Sequence, residues 1–216
     1  MYSVDELEDR LIDLAFAEDI GDGDHTTLCC IPEEAMGKSH LLIKEDGILA
    51  GVEVAKRVFA RFDPTMKVEV LMGDGTPVKK GDIAMVVTGK VRSLLQTERL
   101  MLNIMQRMSG IATMTNRYVK RLEGTKTHVL DTRKTTPGMR MLEKQAVKIG
   151  GGMNHRIGLF DMILLKDNHV DFAGGIKNAI TRCHEYLKEK GLDLKIELEV
   201  RNFDELNQAL EQGGIN

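Results

Sequence analysis

The stretch that decides the fold runs from residue 127 to residue 156 and reads THVLDTRKTTPGMRMLEKQAVKIGGGMNHR. Its apolar start predicts a β-strand at 127–132, and Pro137 predicts the first turn of a helix that continues to Ile149. Three glycines follow the helix, and a histidine and an arginine follow the glycines. A strand, a helix and a glycine turn in this order form one β-α unit.

The same alternation continues toward the carboxyl end of the sequence. A strand at 161–166 precedes a helix at 174–190, and a strand at 195–200 precedes a helix at 204–212. Repeated β-α units indicate parallel strands joined by crossover helices, as in a barrel or a doubly wound sheet. In such folds ligands bind beyond the carboxyl ends of the strands.

The first half of the sequence has shorter elements. Strands bounded by glycines are predicted at 39–44, 66–72 and 83–90, with a helix at 54–62 between the first two. This pattern is typical of an α+β module.

Two further helices are predicted around this module. Ser3 and Glu6 have the spacing of a capping box at the start of the first. The second runs over 97–122 and contains Gly110, which costs about 1 kcal/mol relative to alanine inside a helix, so we expect a bend or close packing there. Three methionines at helical spacing are predicted to fill the core: Met101, Met105 and Met108.

The composition excludes several classes of protein. The 216 residues include no tryptophan and only 4% aromatic residues, which argues against a base-stacking nucleic-acid surface. No apolar stretch approaches the length of a membrane span. The three cysteines, Cys29, Cys30 and Cys183, have neither disulfide-framework nor zinc-site spacing. We therefore predict a cytoplasmic protein with no nucleic-acid or membrane partner.

Charge is distributed unevenly along the sequence. From Arg92 to Lys166 there are 14 basic and 5 acidic residues, a net charge of +9, whereas the whole chain has a net charge of −3. Clustered charge concentrates ions of the opposite sign, so the segment predicts an anionic ligand. A solvated basic helix face is the alternative.

Polar residues follow all three predicted strands of the second half. The first strand ends in Asp131–Thr135, the second in Lys166–His169, and the third carries Glu197 and Glu199. Alternation along the third strand places its aliphatic residues against the helices and both glutamates on the other face. The glutamates either pair with lysines, or hold a metal ion or a ribose hydroxyl, or stabilise developing positive charge.

The glycine run at 150–152 allows two interpretations. Main-chain N–H groups there could bind a phosphate or carboxylate, or the glycines could simply cap the preceding helix. His155 and Arg156 directly afterwards favour a binding site. Arg140, Lys144 and Lys148 lie at four-residue steps, which favours a solvated face.

Guanidinium groups bind planar carboxylates and phosphates through two parallel hydrogen bonds. The basic residues that would together suit a ligand with several negative charges are Arg99, Arg133, Arg140, Arg156, Lys134 and Lys166.

Five motifs together resemble one enzyme family, quinolinate phosphoribosyltransferase. They are EDIGDGDHTT at 18–27, the run from Glu98-Arg99 to SGIAT at 109–113, DTRKT at 131–135, GGMNHR at 151–156 and KDNH at 166–169. The resemblance covers essentially the whole chain, with the motifs in the family's order and spacing.

The resemblance implies an α/β fold class: an N-terminal α+β sandwich followed by an incomplete open α/β barrel, similar to type II phosphoribosyltransferases. We place the sandwich domain at 1–107 and the barrel domain at 108–216. The family's working unit is a dimer, so we expect a homodimer or a higher homo-oligomer.

The resemblance also implies a reaction. A phosphoribosyl group passes from phosphoribosyl pyrophosphate to the nitrogen of quinolinate, and one carboxylate leaves as CO2. The other products are nicotinate mononucleotide and pyrophosphate, on the de novo route to NAD. The implied cofactor is Mg2+, which accompanies the pyrophosphate.

Site residues follow from the same motifs. Arg133, His155 and Arg156 resemble the clamp on the quinolinate carboxylates, with Thr132 beside it, and Arg99 resembles a residue contributed across the dimer interface. The catalytic set that the resemblance implies is Lys134 and Lys166, at the reacting centre and phosphates, and Glu199, near the ribose and as a magnesium ligand.

The sequence departs from the family pattern after Asn216, where the family continues through further barrel strands with an acidic residue and glycine-rich phosphate loops. We therefore expect a barrel domain truncated before its last strands, a fragment of a longer protein, and impaired activity from these 216 residues alone.

Three other hypotheses stay open at this point. One is a paralogue associated with molybdenum transport, and another is a phosphoribosyltransferase with a monocarboxylate substrate. The third is a non-catalytic lipoyl-type carrier, suggested by GTPVKKGD at 75–82, although this stretch has no evident modification hairpin.

Overall fold

The computed structural model describes residues 3–216. Their contacts form two compact units, the first ending at His155 and the second beginning at Arg156. This division does not test the predicted domain boundary between residues 107 and 108, which stays a prediction. Among the described residues, no helix combines the length and apolarity needed to cross a lipid bilayer.

The first unit mixes α-helices with short β-strands, and the second is a short β-α series. In the first unit the elements are α1 Val4–Ile20, α2 His25–Cys30, β1 Met36–Leu42, β2 Gly47–Ile48, α3 Val52–Phe62, β3 Lys67–Val70, β4 Pro77–Val78, β5 Ile83–Lys90, α4 Val91–Arg121 and α5 Arg140–Ile149. In the second they are β6 Ile163–Leu165, α6 Asp167–Ala173, α7 Ile176–Lys190, β7 Ile196–Leu198 and α8 Phe203–Gln212.

 Among residues 3–216, the first unit therefore has five helices and five strands, and the second has three helices and two strands.

The capping box predicted at the start of α1 is confirmed. The Ser3 backbone N–H donates to Glu6 Oε2 (2.6 Å), and the Glu6 backbone N–H donates to Ser3 Oγ (3.1 Å). One turn apart along α1, Asp9 and Asp13 then form ion pairs with Arg57 and Arg61 of α3. The acidic face of α1 thus packs against the basic face of α3.

The main sheet of the first unit has the order β1-β5-β3, with both pairs antiparallel. The strand predicted at 83–90 is confirmed as β5, the central strand, where Ala84 and Met85 are fully buried. The two edge strands differ from the predicted bounds, because pairing with β5 rather than local pattern decides where an edge strand begins and ends. β1 begins three residues before the predicted start at 39, and β3 is shorter than 66–72.

Helix α4 begins at Val91, six residues before the predicted start at 97, and continues through Gly110. Gly110 is exposed, and a Cβ atom added there would meet nothing within 4 Å, so the expectation of close packing at this residue was wrong. The predicted core methionines are confirmed: Met101, Met105 and Met108 are 7%, 3% and 0% exposed.

The strand predicted at 127–132 is reduced to a single parallel bridge between Leu130 and Met153. Two hydrogen bonds make this bridge, from Met153 N to Val129 O (2.8 Å) and from Asp131 N to Met153 O (3.2 Å). The predicted helix start at Pro137 was also wrong. Gly138 has φ +81°, which a right-handed helix does not allow, so α5 begins at Arg140.

The glycines at 150–152 allow α5 and its C-terminal turn to approach α4 closely. A Cβ atom on Gly150 would lie 2.4 Å from the Ala112 carbonyl oxygen, and one on Gly152 would lie 2.9 Å from the Thr115 side chain. All three glycine N–H groups donate to carbonyls of α5 at 2.9–3.0 Å. The helix-cap interpretation is therefore confirmed, and the alternative of a backbone anion site was wrong.

In the second unit, β6 and β7 pair in parallel, as the β-α repeat predicts. The helix predicted at 174–190 is confirmed as α7, which begins at Ile176. The preceding helix α6 was not predicted, and Gly174 and Gly175 (φ +83° and +114°) separate the two helices. A separate hydrophobic core joins these elements, with Ile180 and Ile196 at its centre.

We predict that Gly150→Ala destabilises the protein, because the added methyl group collides with the α4 backbone. Overpacking of this kind costs about 1–3 kcal/mol, measurable as a lower midpoint of urea unfolding. Gly110→Ala is the matched control: its methyl group is free of contacts, and alanine should stabilise α4 by about 1 kcal/mol. Equal effects of the two substitutions would contradict this account of the glycine run.

Candidate active site

The loop between the Leu130 bridge and α5 carries three of the predicted site residues. Thr132 and Lys134 are exposed, and Arg133 between them is half-buried. The Lys134 backbone N–H donates to Thr132 Oγ1 (3.0 Å), and the Thr135 N–H donates to the Arg133 carbonyl (2.9 Å). These two short-range bonds hold the backbone in a tight turn.

Glu143 of α5 fixes the other end of this loop. Its Oε1 accepts from Arg107 Nη2 of α4 (2.7 Å), and its Oε2 accepts from the Thr136 backbone N–H (3.2 Å). Burial opposes ionisation of the carboxyl, but the hydrogen bonds from Arg107 and Thr136 outweigh it and hold the pKa of Glu143 below its usual value. The loop is therefore anchored to a carboxylate that remains charged.

A buried ion pair lies at the start of the loop. Asp131 Oδ1 accepts from Lys144 Nζ, and the two side chains are only 7% and 3% exposed. The sequence had placed Lys144 on a solvated helix face with Arg140 and Lys148, and for Lys144 this was wrong. Only Lys148 of the three is exposed, and Arg140 Nε donates to Thr135 Oγ1 (3.1 Å).

The same ion pair holds the backbone of His155. The His155 N–H donates to Asp131 Oδ1 (2.9 Å), and the His155 carbonyl accepts from Lys144 Nζ (3.2 Å). The side-chain amide nitrogen of Asn154 donates hydrogen bonds to Asp131 Oδ2 (2.8 Å) and to the Lys144 carbonyl (2.9 Å) when the amide is oriented toward these two acceptors. The segment that carries His155 is thus bonded to the strand end and to α5.

Arg133 has an unusual environment. Its Nε atom is buried, yet it has no hydrogen-bond partner among residues 3–216. Buried donors are normally paired, because an unpaired one loses its bonds to water without replacement. A guanidinium in this state suits an anionic ligand.

In the second unit, Lys166 and Glu199 follow the paired strands β6 and β7. The Glu199 backbone N–H donates to the Leu165 carbonyl (2.9 Å), which places both residues at the carboxyl ends of neighbouring strands. Their side chains approach to 4.0 Å between Lys166 Nζ and Glu199 Oε1, and both are about half exposed. Alternation on β7 is as predicted for Ile196 and Leu198, which face the hydrophobic core.

Arg156 and Arg201 belong to the same unit and are held differently. Arg156 is 7% exposed, and its Nη1 donates to the Met162 carbonyl (3.4 Å). Arg201 Nη2 forms ion pairs with Asp171 Oδ1 of α6 (2.9 Å) and with Glu205 Oε1 of α8 (2.7 Å). These ion pairs stabilise the turn that follows Glu199.

The predicted site residues therefore fall into two sets, one in each unit. The first set is Arg99, Thr132, Arg133, Lys134 and His155, and the second is Arg156, Lys166 and Glu199. Arg99 is exposed on α4.

Sequence reasoning missed the residues that support the first set. Asp131 and Lys144 are 13 residues apart and Arg107 and Glu143 are 36 apart, at spacings with no motif. The local pattern around Lys144 was ambiguous, because Leu142 and Ala146 on either side of it are apolar whereas Lys148, one turn later on the same face, is charged.

An α/β fold in which cationic side chains follow the strand ends is typical of enzymes that bind small anionic substrates there. Comparison with known proteins defines the family. Models described as the quinolinate phosphoribosyl transferase N-terminal and C-terminal domains match residues 24–109 and 111–215. The chain belongs to the quinolinate phosphoribosyltransferase family, and the resemblance stated above is confirmed.

Relatives with similar sequences are found in plants and bacteria. A chloroplastic nicotinate-nucleotide pyrophosphorylase (carboxylating) of Arabidopsis thaliana is 46% identical over 202 residues, which is 93% of this chain and 58% of the plant protein. A probable enzyme of the same name from Synechocystis is 42% identical over 194 residues, or 90% of this chain and 64% of that protein. The chain thus spans about three fifths of the length of these relatives.

Solved structures confirm the predicted α/β fold class. The crystal structure of NadC from Streptococcus pyogenes matches with a TM-score of 0.90 at 37% identity, covering 100% of this chain and 75% of that one. The nicotinate-nucleotide pyrophosphorylase from Francisella tularensis matches with a TM-score of 0.89 at 40% identity, covering 98% and 73%.

We predict that Glu143→Gln makes the free energy of unfolding less dependent on pH in the acidic range. A carboxyl whose folded pKa is lowered stabilises the fold above its unfolded pKa, and this contribution is lost as the pH falls through the folded value. The wild type should therefore lose stability below about pH 4.3. The variant should be less stable at pH 7 and lose less on acidification, measured by urea unfolding at each pH.

The exposed Glu123 provides the control, since Glu123→Gln should reproduce the wild-type pH profile. A Glu143→Gln profile parallel to that of the wild type would show that the carboxylate does not contribute in this way.

Proposed function

We propose that this protein takes part in phosphoribosyl transfer from phosphoribosyl pyrophosphate to quinolinate, with decarboxylation to nicotinate mononucleotide, pyrophosphate and CO2. Membership of the family supports the proposal. The observation that carries it is the buried Nε of Arg133, which has no hydrogen-bond partner within the described range 3–216, beside the exposed Lys134. This arrangement offers a guanidinium to a planar carboxylate. The product would enter the synthesis of NAD.

Quinolinate is a dicarboxylate, so several cations are needed to hold it near a pyrophosphate. We assign its carboxylates to Arg133, His155 and Arg156, with Thr132 fixing the turn that orients the clamp. Lys134 follows Arg133 directly, and its charge would stabilise the negative charge that develops on the ring when CO2 leaves.

We assign the ribose and pyrophosphate interactions of the reaction to Lys166 and Glu199. The bond from the ribose carbon to pyrophosphate breaks while the bond to the quinolinate nitrogen forms, so positive charge develops on the sugar. A carboxylate stabilises such a centre, and a lysine attracts the departing pyrophosphate. Their 4.0 Å separation and partial exposure leave both groups accessible to a ligand.

We propose Mg2+ as the cofactor, bound to the pyrophosphate and to Glu199. Among residues 3–216 no three His, Cys, Asp or Glu side chains are grouped as a metal site. A single exposed carboxylate fits Mg2+ nonetheless, because this ion is usually held by one or two carboxylates together with substrate phosphates and water. When bound, it would neutralise charge on the pyrophosphate.

We also propose a homodimer, or a higher homo-oligomer, in which Arg99 reaches the site of the partner subunit. The exposure of Arg99 on α4 supports this assignment. For location we propose the cytoplasm. The cysteines support it, since Cys29, Cys30 and Cys183 are all free thiols, as is usual in a reducing compartment.

The binding part of the proposal is tested by calorimetric titration of quinolinate into the wild type and into Arg133→Ala. Removing the guanidinium leaves the carboxylate without its charged partner, and charge-assisted hydrogen bonds are worth about 1.5–3 kcal/mol each, so affinity should fall at least tenfold. Arg117→Ala, which removes an exposed arginine of α4, should bind as the wild type does.

Equal affinity of Arg133→Ala and the wild type would show that the clamp is assigned wrongly. A wild type that binds nicotinate as tightly as quinolinate would favour a monocarboxylate substrate instead.

The magnesium assignment is tested by titrating phosphoribosyl pyrophosphate with and without Mg2+. The ion should strengthen binding to the wild type, and Glu199→Gln should lose most of this gain because the amide is a poorer ligand for a hard cation. Glu189→Gln, at an exposed glutamate of α7, should keep it. An unchanged magnesium effect in Glu199→Gln would exclude Glu199 as a ligand.

A further inference from the structure

Lys144 is a buried cation with no role in the scheme above. Its side chain is 3% exposed, and it projects from α5 to Asp131 at the end of the Leu130 bridge. Burying two charges is costly, and replacing such a pair with apolar residues of similar volume often leaves stability unchanged or improved. Stability alone is therefore a weak reason for this pair.

The hydrogen bonds around the pair suggest another reason. Asp131 Oδ1 accepts from Lys144 Nζ and from the His155 N–H (2.9 Å), while Lys144 Nζ also donates to the His155 carbonyl (3.2 Å). One ion pair thus binds both the N–H and the carbonyl of a single residue. This fixes the peptide planes on either side of the His155 Cα, and with them the direction in which its side chain leaves the backbone.

Asn154 makes the arrangement more rigid. Its amide donates to the second oxygen of Asp131 (2.8 Å) and to the Lys144 carbonyl (2.9 Å), so both oxygens of the Asp131 carboxylate have fixed partners. Asp131 also directly precedes Thr132 and Arg133 in the chain. The same carboxylate therefore connects the loop that carries Arg133 to the segment that carries His155.

We propose that the Asp131–Lys144 pair is a positioning device that sets His155 relative to Arg133 for the recognition of a dicarboxylate. Asp131 and Lys144 act as positioning residues through the backbone, without touching the substrate. The inference rests on the proposed function, since the dicarboxylate is the quinolinate assigned there. Recognition of two carboxylates needs two donors at a fixed separation, whereas a single carboxylate needs only one of them.

The test compares two double variants. Lys144→Met with Asp131→Leu replaces the pair by apolar side chains and removes both bonds to His155. Lys144→Gln with Asp131→Asn removes the charges but keeps a donor and an acceptor. Lys56→Met with Glu53→Leu removes a different ion pair, within α3, as the control. Circular dichroism checks folding, and calorimetry measures quinolinate and nicotinate binding.

We expect the apolar variant (Lys144→Met with Asp131→Leu) to lose quinolinate affinity on the order of 10- to 100-fold, because small displacements of a binding group weaken its contacts strongly. Nicotinate binding should change much less, so the preference for the dicarboxylate should shrink. The hydrogen-bonding variant should recover part of the loss, and the control should match the wild type. A folded apolar variant with wild-type affinity and preference would overturn the proposal.

Amide hydrogen exchange at His155 gives a second readout that needs no ligand. The amide should be protected in the wild type and in the hydrogen-bonding variant, and exposed to exchange in the apolar one. If the apolar variant does not fold, a rapidly exchanging His155 amide in the wild type still refutes the positioning role. If the wild type binds no quinolinate, the proposed function fails, and the exchange result decides separately whether the pair holds His155.

Discussion

The side chains of Asp131 and Lys144 form an ion pair that is almost completely removed from water. An isolated charge in that position would be strongly unfavourable, so each group requires the other, together with hydrogen bonds to its remaining atoms. The pair obtains these bonds from His155 and Asn154. The strand end, helix α5 and the segment after the glycine turn are therefore held together at one point.

Close helix packing makes this arrangement possible. Because Gly150 and Gly152 have no side chains, the turn after α5 lies directly against α4, and Met153 comes into register with Leu130. Glu143 then ties the other end of the loop to Arg107. Arg133 and Lys134 lie on a loop that is fixed at both ends by carboxylates, which limits the entropy lost when a ligand binds.

The second unit presents its polar residues by simpler means. Parallel pairing of β6 with β7 places Lys166 and Glu199 side by side, and Arg201 braces the turn that follows. This part was largely predictable, because period-2 alternation indicates which face of a strand is buried. The missed helix α6 has a clear cause. Its seven residues are too few for a periodic pattern, and the glycines that end it were included in the next helix.

The sequence by itself determined the α/β class, the first helix cap, the central strand β5, the methionine core and the family, because these depend on local pattern and on motifs of fixed spacing. Only the tertiary structure decided that residues 127–132 form one bridge, that the glycines serve packing, and that Lys144 is buried. Each of these depends on contacts between segments far apart in the chain. A lysine at a given helical position has the same local pattern whether it faces water or a buried carboxylate, so only its partner in space distinguishes the two.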